Sequence, residues 1–352
     1  MSHPLPLRGR GTSDNPATRF IPIYAERDPD WNDPDDPAPA TQFLRDASRS
    51  ILVKNDSPDI PFTYSMNAYR GCEHGCIYCY ARPTHEYLSL SAGLDFETRI
   101  LVKEKAPELL RDELSAKSWE PTPISISSVT DAYQPIERRL QLTRRCLEVL
   151  AEFRNPFGIV TKNALVTRDV DILASMAKIN ATMVFISVTT LDAELASKME
   201  PRASAPSARL RAIRTLSNAG VPVGVMVAPM IPGLNDHEMP AILKAAAEAG
   251  ARWASYVVLR LPGAVANLFE TWLDQHYPDS KEKVMGRIED MRGGERNDSR
   301  FGIRMRGEGA WADLFSNLFR VSRKRVGMEE TFPKLSTAAF RRGKLVQRLL
   351  FD

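Results

Sequence analysis

Residues 157–188, FGIVTKNALVTRDVDILASMAKINATMVFISV, decide the fold. Two short apolar runs rich in β-branched side chains, FGIVTK (157–162) and TMVFISV (182–188), enclose an amphipathic pattern over 168–178. Runs of this length that are apolar at almost every position are typical of strands buried on both faces. The segment therefore predicts a strand–helix–strand unit with parallel strands.

The same alternation extends in both directions along the chain. Further strands are predicted at SMNAYR (65–70), TPISISS (122–128), VPVGVMV (221–227) and WASYVVL (253–259), and further helices at 104–116, 137–153, 205–219 and 236–249. Six strands that alternate with helices imply a parallel sheet with right-handed crossovers. A partial (β/α)6 barrel fits better than a doubly wound sheet, because no GxGxxG turn opens the first helix and polar residues recur at the carboxyl ends of strands.

The chain divides into three parts by composition. Residues 1–60 are rich in Pro, Asp and Asn and predict an extended, partly disordered N-terminal arm. The partial barrel is expected over 61–262. Residues 263–352 form a C-terminal extension that is expected to be basic and mainly helical.

Composition indicates a soluble protein, with 43% hydrophobic and 26% charged residues among 352. No apolar run approaches the roughly 20 residues that span a bilayer, and the N-terminus lacks the apolar core of a secretory signal. We therefore expect a cytoplasmic protein without membrane contact. Clustering of three of the four cysteines also argues against a disulfide framework.

Those three cysteines lie in one loop directly after the first predicted strand, GCEHGCIYCY (71–80). Cys72, Cys76 and Cys79 have the spacing CxxxCxxC. Three thiolates can hold a [4Fe-4S] cluster, whereas a fully ligated cluster requires a fourth cysteine. One iron therefore stays open to a small molecule.

A zinc site is the alternative interpretation of the same loop, with His74 or His85 as the fourth ligand. Structural zinc usually pairs two cysteine knuckles, or one knuckle with an HxxxH motif, and neither pattern is present. The fourth cysteine, Cys146, lies in the amphipathic run QLTRRCLEVL and is expected to be a buried structural thiol.

The loop resembles that of the radical S-adenosylmethionine (SAM) superfamily, and more closely that of its spore photoproduct lyase group, also called DNA repair photolyases. The loop of this group has the form CxxxCxYCY, so Tyr78 and Tyr80 both have counterparts. The segments TDAYQPIE (130–137), APMIPGLND (228–236) and LRLPGAVANLFETWL (259–273) are also similar. The terminal segments RGRGTSDNPATRF and RMRGEGAWADLF resemble those of a subgroup of uncharacterised bacterial relatives.

The resemblance implies a cofactor pair, a [4Fe-4S] cluster and SAM, in which cluster reduction cleaves SAM to methionine and a 5′-deoxyadenosyl radical. It implies that Tyr78 lies against the adenine, that Lys162 pairs with the SAM carboxylate and that Ser187 contacts the ribose. The SAM ammonium is expected near the residues that end the second strand, Ser127, Ser128, Thr130 and Asp131. A helix cap is the alternative role for Asp131.

One departure from the group concerns the return of a hydrogen atom to the product radical. Spore photoproduct lyase uses a cysteine near the second strand, where this chain has PTPISISSVTDAY (121–133). Tyr80 and Tyr133 are the predicted catalytic substitutes, with Cys146 as a further candidate. Thymine-dimer repair is therefore not carried over from the resemblance.

The leading hypothesis is a lyase-like radical SAM enzyme that acts on a nucleic acid, such as a DNA lesion, with a flavodoxin- or ferredoxin-type reductant. One alternative keeps the radical chemistry and changes the substrate to a protein, peptide or metabolite. Another is a non-catalytic Fe–S or zinc module.

The nucleic-acid hypothesis includes the basic C-terminal region, with Trp311 and Phe315 to hold an unstacked base. Its basic side chains are Arg320, Arg323, Lys324, Arg325, Arg341, Arg342, Lys344 and Arg348. A solvated helix face is the alternative interpretation of this charge.

Overall fold

The computed structural model describes residues 6–20 and 39–342. Its strands in chain order are β1 (Gln42–Arg45), β2 (Leu52–Lys54), β3 (Tyr64–Met66), β4 (Tyr69–Arg70), β5 (Arg99–Val102), β6 (Ile124–Ile126), β7 (Phe157–Thr161), β8 (Thr182–Ser187), β9 (Val223–Met230) and β10 (Trp253–Val258). Its α-helices are α1 (Leu94–Thr98), α2 (Ala106–Ser115), α3 (Glu137–Leu140), α4 (Leu142–Phe153), α5 (Val170–Ala177), α6 (Ala193–Met199), α7 (Pro206–Asn218), α8 (Met239–Glu248), α9 (Val265–His276), α10 (Lys281–Asp290) and α11 (Gly309–Arg325).

A seven-stranded sheet with the order β10-β9-β8-β7-β6-β3-β2 forms the centre of the fold. Neighbouring strands from β3 to β10 are parallel, and β2 adds an antiparallel edge next to β3. Within the described residues, β2 and β10 remain the two edges, so the sheet does not close. The expected partial barrel is confirmed.

The predicted first strand, 65–70, is two strands in two different sheets. β3 joins the large sheet, whereas β4 pairs with β5 in a three-stranded sheet of order β1-β5-β4. The side chain of Asn67, which lies between them, accepts hydrogen bonds from the backbone of Ser128 at 3.0 Å and Val129 at 3.3 Å. An apolar run does not reveal such a change of partner, because periodicity reports burial and not pairing.

Part of the predicted N-terminal arm has regular structure. β1 pairs in parallel with β5, and β2 pairs with β3, although neither has an apolar pattern. All four side chains of β1 are exposed. Residues 21–38 of the arm lie outside the described part of the chain, and the division into three parts stays a prediction.

The C-terminal region is helical, and its packing corrects two expectations. The ring of Phe315 is 1% exposed and belongs to the main apolar core, so the expectation that it holds a base is wrong. The partly buried ring of Trp311 is covered by the guanidinium of Arg287, 4.0 Å from the ring centroid.

Arg341 and Arg342 lie far from the cysteine loop. The Nε of Arg341 donates to the carbonyl of Glu152, and the Arg342 guanidinium donates to that of Trp119, at 2.9 and 3.0 Å. These carbonyls precede β7 and β6, so both arginines lie at the amino edge of the sheet. Lys344 and Arg348 lie outside the described residues. No helix of the described chain has the length and apolarity that crossing a membrane requires.

Candidate active site

The cysteine loop lies at the carboxyl edge of the large sheet, as expected for a barrel of this kind. Cys72 and Cys76 are 7% and 8% exposed, Cys79 is partly exposed, and all three are free thiols. The loop is turned by backbone hydrogen bonds from Gly75 to Cys72 at 3.4 Å and from Cys79 to Cys76 at 3.2 Å. The three sulfurs are therefore supplied by one compact segment.

Charged groups at the strand ends act on these thiols. Burial raises the pKa of all three above the ordinary value for cysteine. The Asp131 carboxylate raises the pKa of Cys72 further, whereas the Lys162 ammonium opposes the rise at Cys76 and Cys79. The thiols are consequently neutral in the free protein, and metal binding must displace their protons.

The surroundings fit an iron–sulfur cluster better than zinc. His74 has its Nε2 at 3.1 Å from the Asn163 side chain, and the Nε2 of His85 lies 2.9 Å from the Arg99 carbonyl, so neither histidine turns toward the thiols as a fourth ligand. Among the residues described, no group of three or more His, Cys, Asp or Glu side chains converges on a single ion. A cubane does not need such convergence, because its thiolates bind different irons.

A buried ion pair supports the loop from behind. Arg82 and Glu97 are both fully buried, and Arg82 also donates to the carbonyl of Cys76 at 3.0 Å. Glu97 in turn accepts from the backbone of Gly11 at 3.0 Å, which brings residues 6–20 against the loop. A Cβ on Gly11 would lie 1.8 Å from the carbonyl oxygen of Gly75, so the two backbones are in direct contact.

The TDAYQPIE block fixes the front of the loop. Gln134 accepts from the backbone of Glu73 at 2.9 Å, and the Thr130 hydroxyl donates to the carbonyl of Gly71 at 2.5 Å. Glu73 accepts from the backbone of Ile136 at 2.8 Å. Thr130, which we expected near the SAM ammonium, therefore holds the loop itself.

The Asp131 carboxylate is occupied by protein donors. It accepts from the Thr161 hydroxyl at 2.7 Å and from the backbones of Lys162 and Tyr133 at 2.9 Å each. It also lies 3.5 Å from the Nδ1 of His74. These bonds join the ends of β6 and β7 to the cysteine loop, a role that neither the ammonium-binding nor the capping interpretation includes.

The end of β6 contacts the cysteine loop through Tyr80. The hydroxyl of Ser127 accepts from the backbone of Ala132 at 2.9 Å, and that of Ser128 accepts from the Asn67 side chain at 2.9 Å. The Tyr80 hydroxyl donates to the Ser128 carbonyl, and its side chain is 49% exposed. Tyr80 is thus positioned at the solvent side of the loop.

Tyr133 and Cys146 lie in the core instead. Both side chains are fully buried, and the Tyr133 hydroxyl donates to Asp169 at 3.1 Å. Of the three groups that the sequence suggests for hydrogen return, Tyr80 alone is exposed to solvent, and the structure favours a structural role for Tyr133 and Cys146.

Lys162 lies between the cysteine loop and the end of β7. Its ammonium is 5.7 Å from the ring centroid of Tyr78, and within the described chain no carboxylate lies at ion-pair distance from it. The Tyr78 hydroxyl donates to Glu200, which is 2% exposed and paired with Arg209. The partly exposed ammonium therefore lies near the ring of Tyr78 without a carboxylate partner among the described residues.

Comparison with known proteins now identifies the family. The model of the radical SAM superfamily matches residues 66–246. The chain belongs to the radical SAM superfamily. It is an enzyme of this family, and radical SAM enzymes use a [4Fe-4S] cluster and SAM as cofactors.

The chain is similar in sequence to uncharacterised proteins of a bacterium and an archaeon. An uncharacterised protein of Mycobacterium tuberculosis strain H37Rv is 37% identical over 248 residues, covering 68% of this chain and 73% of that protein. An uncharacterised protein of Methanocaldococcus jannaschii is 29% identical over 222 residues, covering 63% of this chain and 79% of that protein. Neither relative carries a functional description.

The solved structures that resemble the fold include spore photoproduct lyase. A cysteine-to-serine variant of that enzyme has a TM-score of 0.59 at 18% identity, covering 81% of this chain and 80% of that one. Its complex with dinucleoside spore photoproduct has a TM-score of 0.55 at 17% identity over the same shares. At this identity the likeness establishes the radical SAM fold.

Several residues of this radical SAM site are absent from the sequence-based prediction. The sequence could have indicated Gln134, because this residue lies in the TDAYQPIE block that resembles the family. Glu200 and Arg209 had none, since a lone Glu after α6 and an Arg within α7 look like solvated helix residues. Ser187 is 2% exposed at the end of β8, and its carbonyl accepts from Arg209 at 3.1 Å.

Proposed function

We propose that this radical SAM enzyme holds its [4Fe-4S] cluster through Cys72, Cys76 and Cys79 and uses the resulting radical on a nucleic acid. When bound, the reduced cluster supplies the electron that cleaves SAM to methionine and a 5′-deoxyadenosyl radical. The chain's own residues bind SAM, exclude water and position the substrate. A flavodoxin- or ferredoxin-type protein is the proposed source of the electron.

The position of Lys162 is the observation that carries the proposal. An ammonium 5.7 Å from the Tyr78 ring, without a carboxylate partner in the described chain, suits the carboxylate of SAM. Tyr78 is the proposed contact of the adenine, and Ser187, which is connected to Tyr78 through Arg209 and Glu200, is the proposed contact of the ribose. Asp131 acts on this site by fixing the backbone of Lys162 rather than by a free carboxylate.

The choice of substrate rests on the opening of the site. Spore photoproduct lyase, one of the structural neighbours, was solved with dinucleoside spore photoproduct, and the ring of Tyr80 is exposed beside the cysteine loop here. Arg341 and Arg342 no longer contribute, because they lie at the opposite edge of the sheet. Exposed aromatic rings favour stacking with an unpaired base.

The test is product analysis of the anaerobically reconstituted, dithionite-reduced enzyme with SAM and ultraviolet-irradiated or unmodified oligonucleotides. Formation of 5′-deoxyadenosine that increases with one nucleic acid, together with a changed mass of that nucleic acid, is the expected result. Cys76→Ala is the control without a cluster. A 5′-deoxyadenosine yield that no nucleic acid alters would contradict the substrate proposal.

A further inference from the structure

We propose that Arg260 and Arg304, together with the ring of Tyr80, form a phosphate-binding site at the open side of the sheet. It deepens the function proposed above, on which it rests: the ligand is a phosphodiester of the nucleic-acid substrate, next to the nucleotide that reacts. The site is separate from the basic C-terminal region.

Arg260 lies beside the cysteine loop. It is the second residue after β10, and the backbone of its neighbour Leu259 donates to Met230 at the end of β9 at 2.9 Å. Leu259 and Leu261 pack in one apolar cluster with Tyr78. The guanidinium of Arg260 then lies 5.3 Å from the ring centroid of Tyr80. A group bound by Arg260 is therefore close to the loop that holds the cluster.

The charge of Arg260 lacks a counter-ion. Its Nε is buried without a hydrogen-bond partner, and its Nη1 has the sulfur of Met305 at 3.8 Å. In residues 6–20 and 39–342, no carboxylate lies at ion-pair distance from this guanidinium. Burial and the neighbouring Arg304 lower the pKa of Arg260. Arg260 is partly buried, and its Nε lacks a hydrogen-bond partner, so a phosphate oxygen would supply the missing acceptor and a counter-charge.

Arg304 brings a second guanidinium to the same side. It forms an ion pair with Asp59, and the backbone of Gly302 donates to the same carboxylate at 3.3 Å. Asp59 lies between β2 and β3, whereas Met305 accepts from Val258 of β10 at 3.0 Å. The pair thus joins the segment between β2 and β3 to the segment that lies against β10.

The buried guanidinium of Arg292 keeps this arrangement in place. It donates to the carbonyl of Leu259 at 2.8 Å and to that of Ile303 at 3.3 Å. These bonds connect the strand end that carries Arg260 with the loop that carries Arg304. Arg292 is a positioning residue, since its own side chain is 3% exposed.

Exposed rings accompany the two arginines. Tyr80 is 49% exposed, and Phe301, whose ring centroid lies 4.7 Å from the Arg304 guanidinium, is 55% exposed. Guanidinium groups suit phosphate oxygens, and flat rings suit bases that have left the stack. A surface that combines guanidinium groups with exposed rings favours a single-stranded or locally opened nucleic acid over a small phosphate ester.

The test compares Arg260→Gln, Arg260→Lys and Arg252→Gln with the unaltered enzyme, all reconstituted to equal iron content. Arg252 is the matched control, because it precedes the other end of β10 and pairs with exposed Glu329. Binding of labelled single-stranded and duplex oligonucleotides is measured by fluorescence anisotropy at several salt concentrations. Inorganic phosphate and a nucleoside monophosphate are titrated in parallel.

Arg260→Gln should weaken oligonucleotide binding about tenfold or more, since a charge-assisted hydrogen bond is lost. It should also reduce the log–log salt slope by about 0.7 for a single strand or about 0.9 for a duplex. Arg260→Lys should keep the slope, because the charge remains, and Arg252→Gln should match the unaltered enzyme. Equal affinity and slope in Arg260→Gln would overturn the site and leave the proposed function standing.

Failure of the unaltered enzyme to bind any oligonucleotide would instead overturn the nucleic-acid function and the phosphodiester ligand with it. Phosphate or nucleotide binding that Arg260→Gln abolishes would then reassign the site to a small phosphate ester. Absence of binding to every phosphate compound would overturn the site as well.

Discussion

The guanidinium of Arg82 and the carboxylate of Glu97 form an ion pair at 2.5 Å, and neither side chain has any exposed surface. This pair connects the cysteine loop, through Cys76, with helix α1 and with Gly11 of the N-terminal segment. Three segments distant in sequence therefore depend on two charges.

Removing one of these charges should destabilise the fold. Glu97→Gln leaves the Arg82 guanidinium buried without a counter-ion, a loss of about 3–5 kcal/mol in the free energy of unfolding. Chemical denaturation measures it. Arg111→Gln, which breaks an exposed pair with Glu152, should cost less than about 1 kcal/mol. Equal effects of the two changes would contradict the role of the buried pair.

Glycine at position 75 should be required for cluster binding. Its φ is +65°, and an added Cβ would lie 2.7 Å from the Glu97 carboxylate, so Gly75→Ala must displace the loop. Gly220 has a φ of +77° with open space around the added atom. Gly220→Ala should therefore strain the backbone by about 1–2 kcal/mol but retain the cluster. Iron and sulfide analysis after reconstitution distinguishes the two.

The fourth cysteine should be dispensable for the cluster. Cys146→Ala should bind about four irons and four sulfides, because its side chain is fully buried in the core. Changing Cys72, Cys76 or Cys79 to Ala should each abolish the cluster. Loss of the cluster in Cys146→Ala alone would mean that protein thiolates bind all four irons.

SAM affinity should depend on Lys162. Lys162→Ala should weaken SAM binding by about ten- to hundredfold, measured by equilibrium dialysis, because a charge-assisted contact is lost. Lys244→Ala, at an exposed position of α8, is the control. Asp131→Ala should lower iron content as well as SAM affinity, since its carboxylate fixes both the strand end and the loop. Unchanged SAM affinity in Lys162→Ala would show that another residue binds the carboxylate.

Neutral, buried His85 should account for part of the stability that is lost toward acid pH. Burial lowers the pKa of His85 to about 4. Its Nε2 donates to the Arg99 carbonyl, and its buried Nδ1 has no partner for a second proton. The unfolded chain takes up that proton near pH 6.5, so the free energy of unfolding contributed by neutral His85 is present above about pH 6.5 and is lost as pH falls.

The contribution of His85 to the free energy of unfolding should fall by about 1.4 kcal/mol between about pH 7.5 and pH 5.5. Denaturation curves for the unaltered protein and for His85→Gln measure it, and the difference between them should shrink as pH falls. A difference that stays constant with pH would contradict the buried neutral state.

Local patterns were sufficient to predict the large sheet and the cysteine loop. The runs at 157–162 and 182–188 became β7 and β8, because buried parallel strands are apolar along their whole length. The predicted helix over 137–153 is divided by Gln141, whose φ of +51° has no signal in an amphipathic pattern. The short exposed strand β1 was also missed, because its pairing with β5 makes it a strand and its own sequence has no apolar pattern.

Pairs between distant residues were beyond the reach of such patterns. Glu200 with Arg209 and Asp59 with Arg304 become partners only through the fold. The number of basic residues likewise led us to the C-terminal region. Net charge does not indicate which edge of a sheet a side chain occupies, and Arg341 and Arg342 lie at the amino edge. Arg260, a single basic residue in an apolar segment, contributed nothing to that count.

Gly11 is synthesised long before Gly75, the residue against which its backbone packs, and Glu97 follows later still. The carboxylate and amide that fix the other side of the loop, Asp131 and Gln134, are synthesised after Glu97. A nascent chain that has just completed its three cysteines therefore lacks Glu97, Asp131 and Gln134, the side chains that fix the loop. We expect cluster insertion to be a late step in the maturation of this protein, after most of the barrel has left the ribosome.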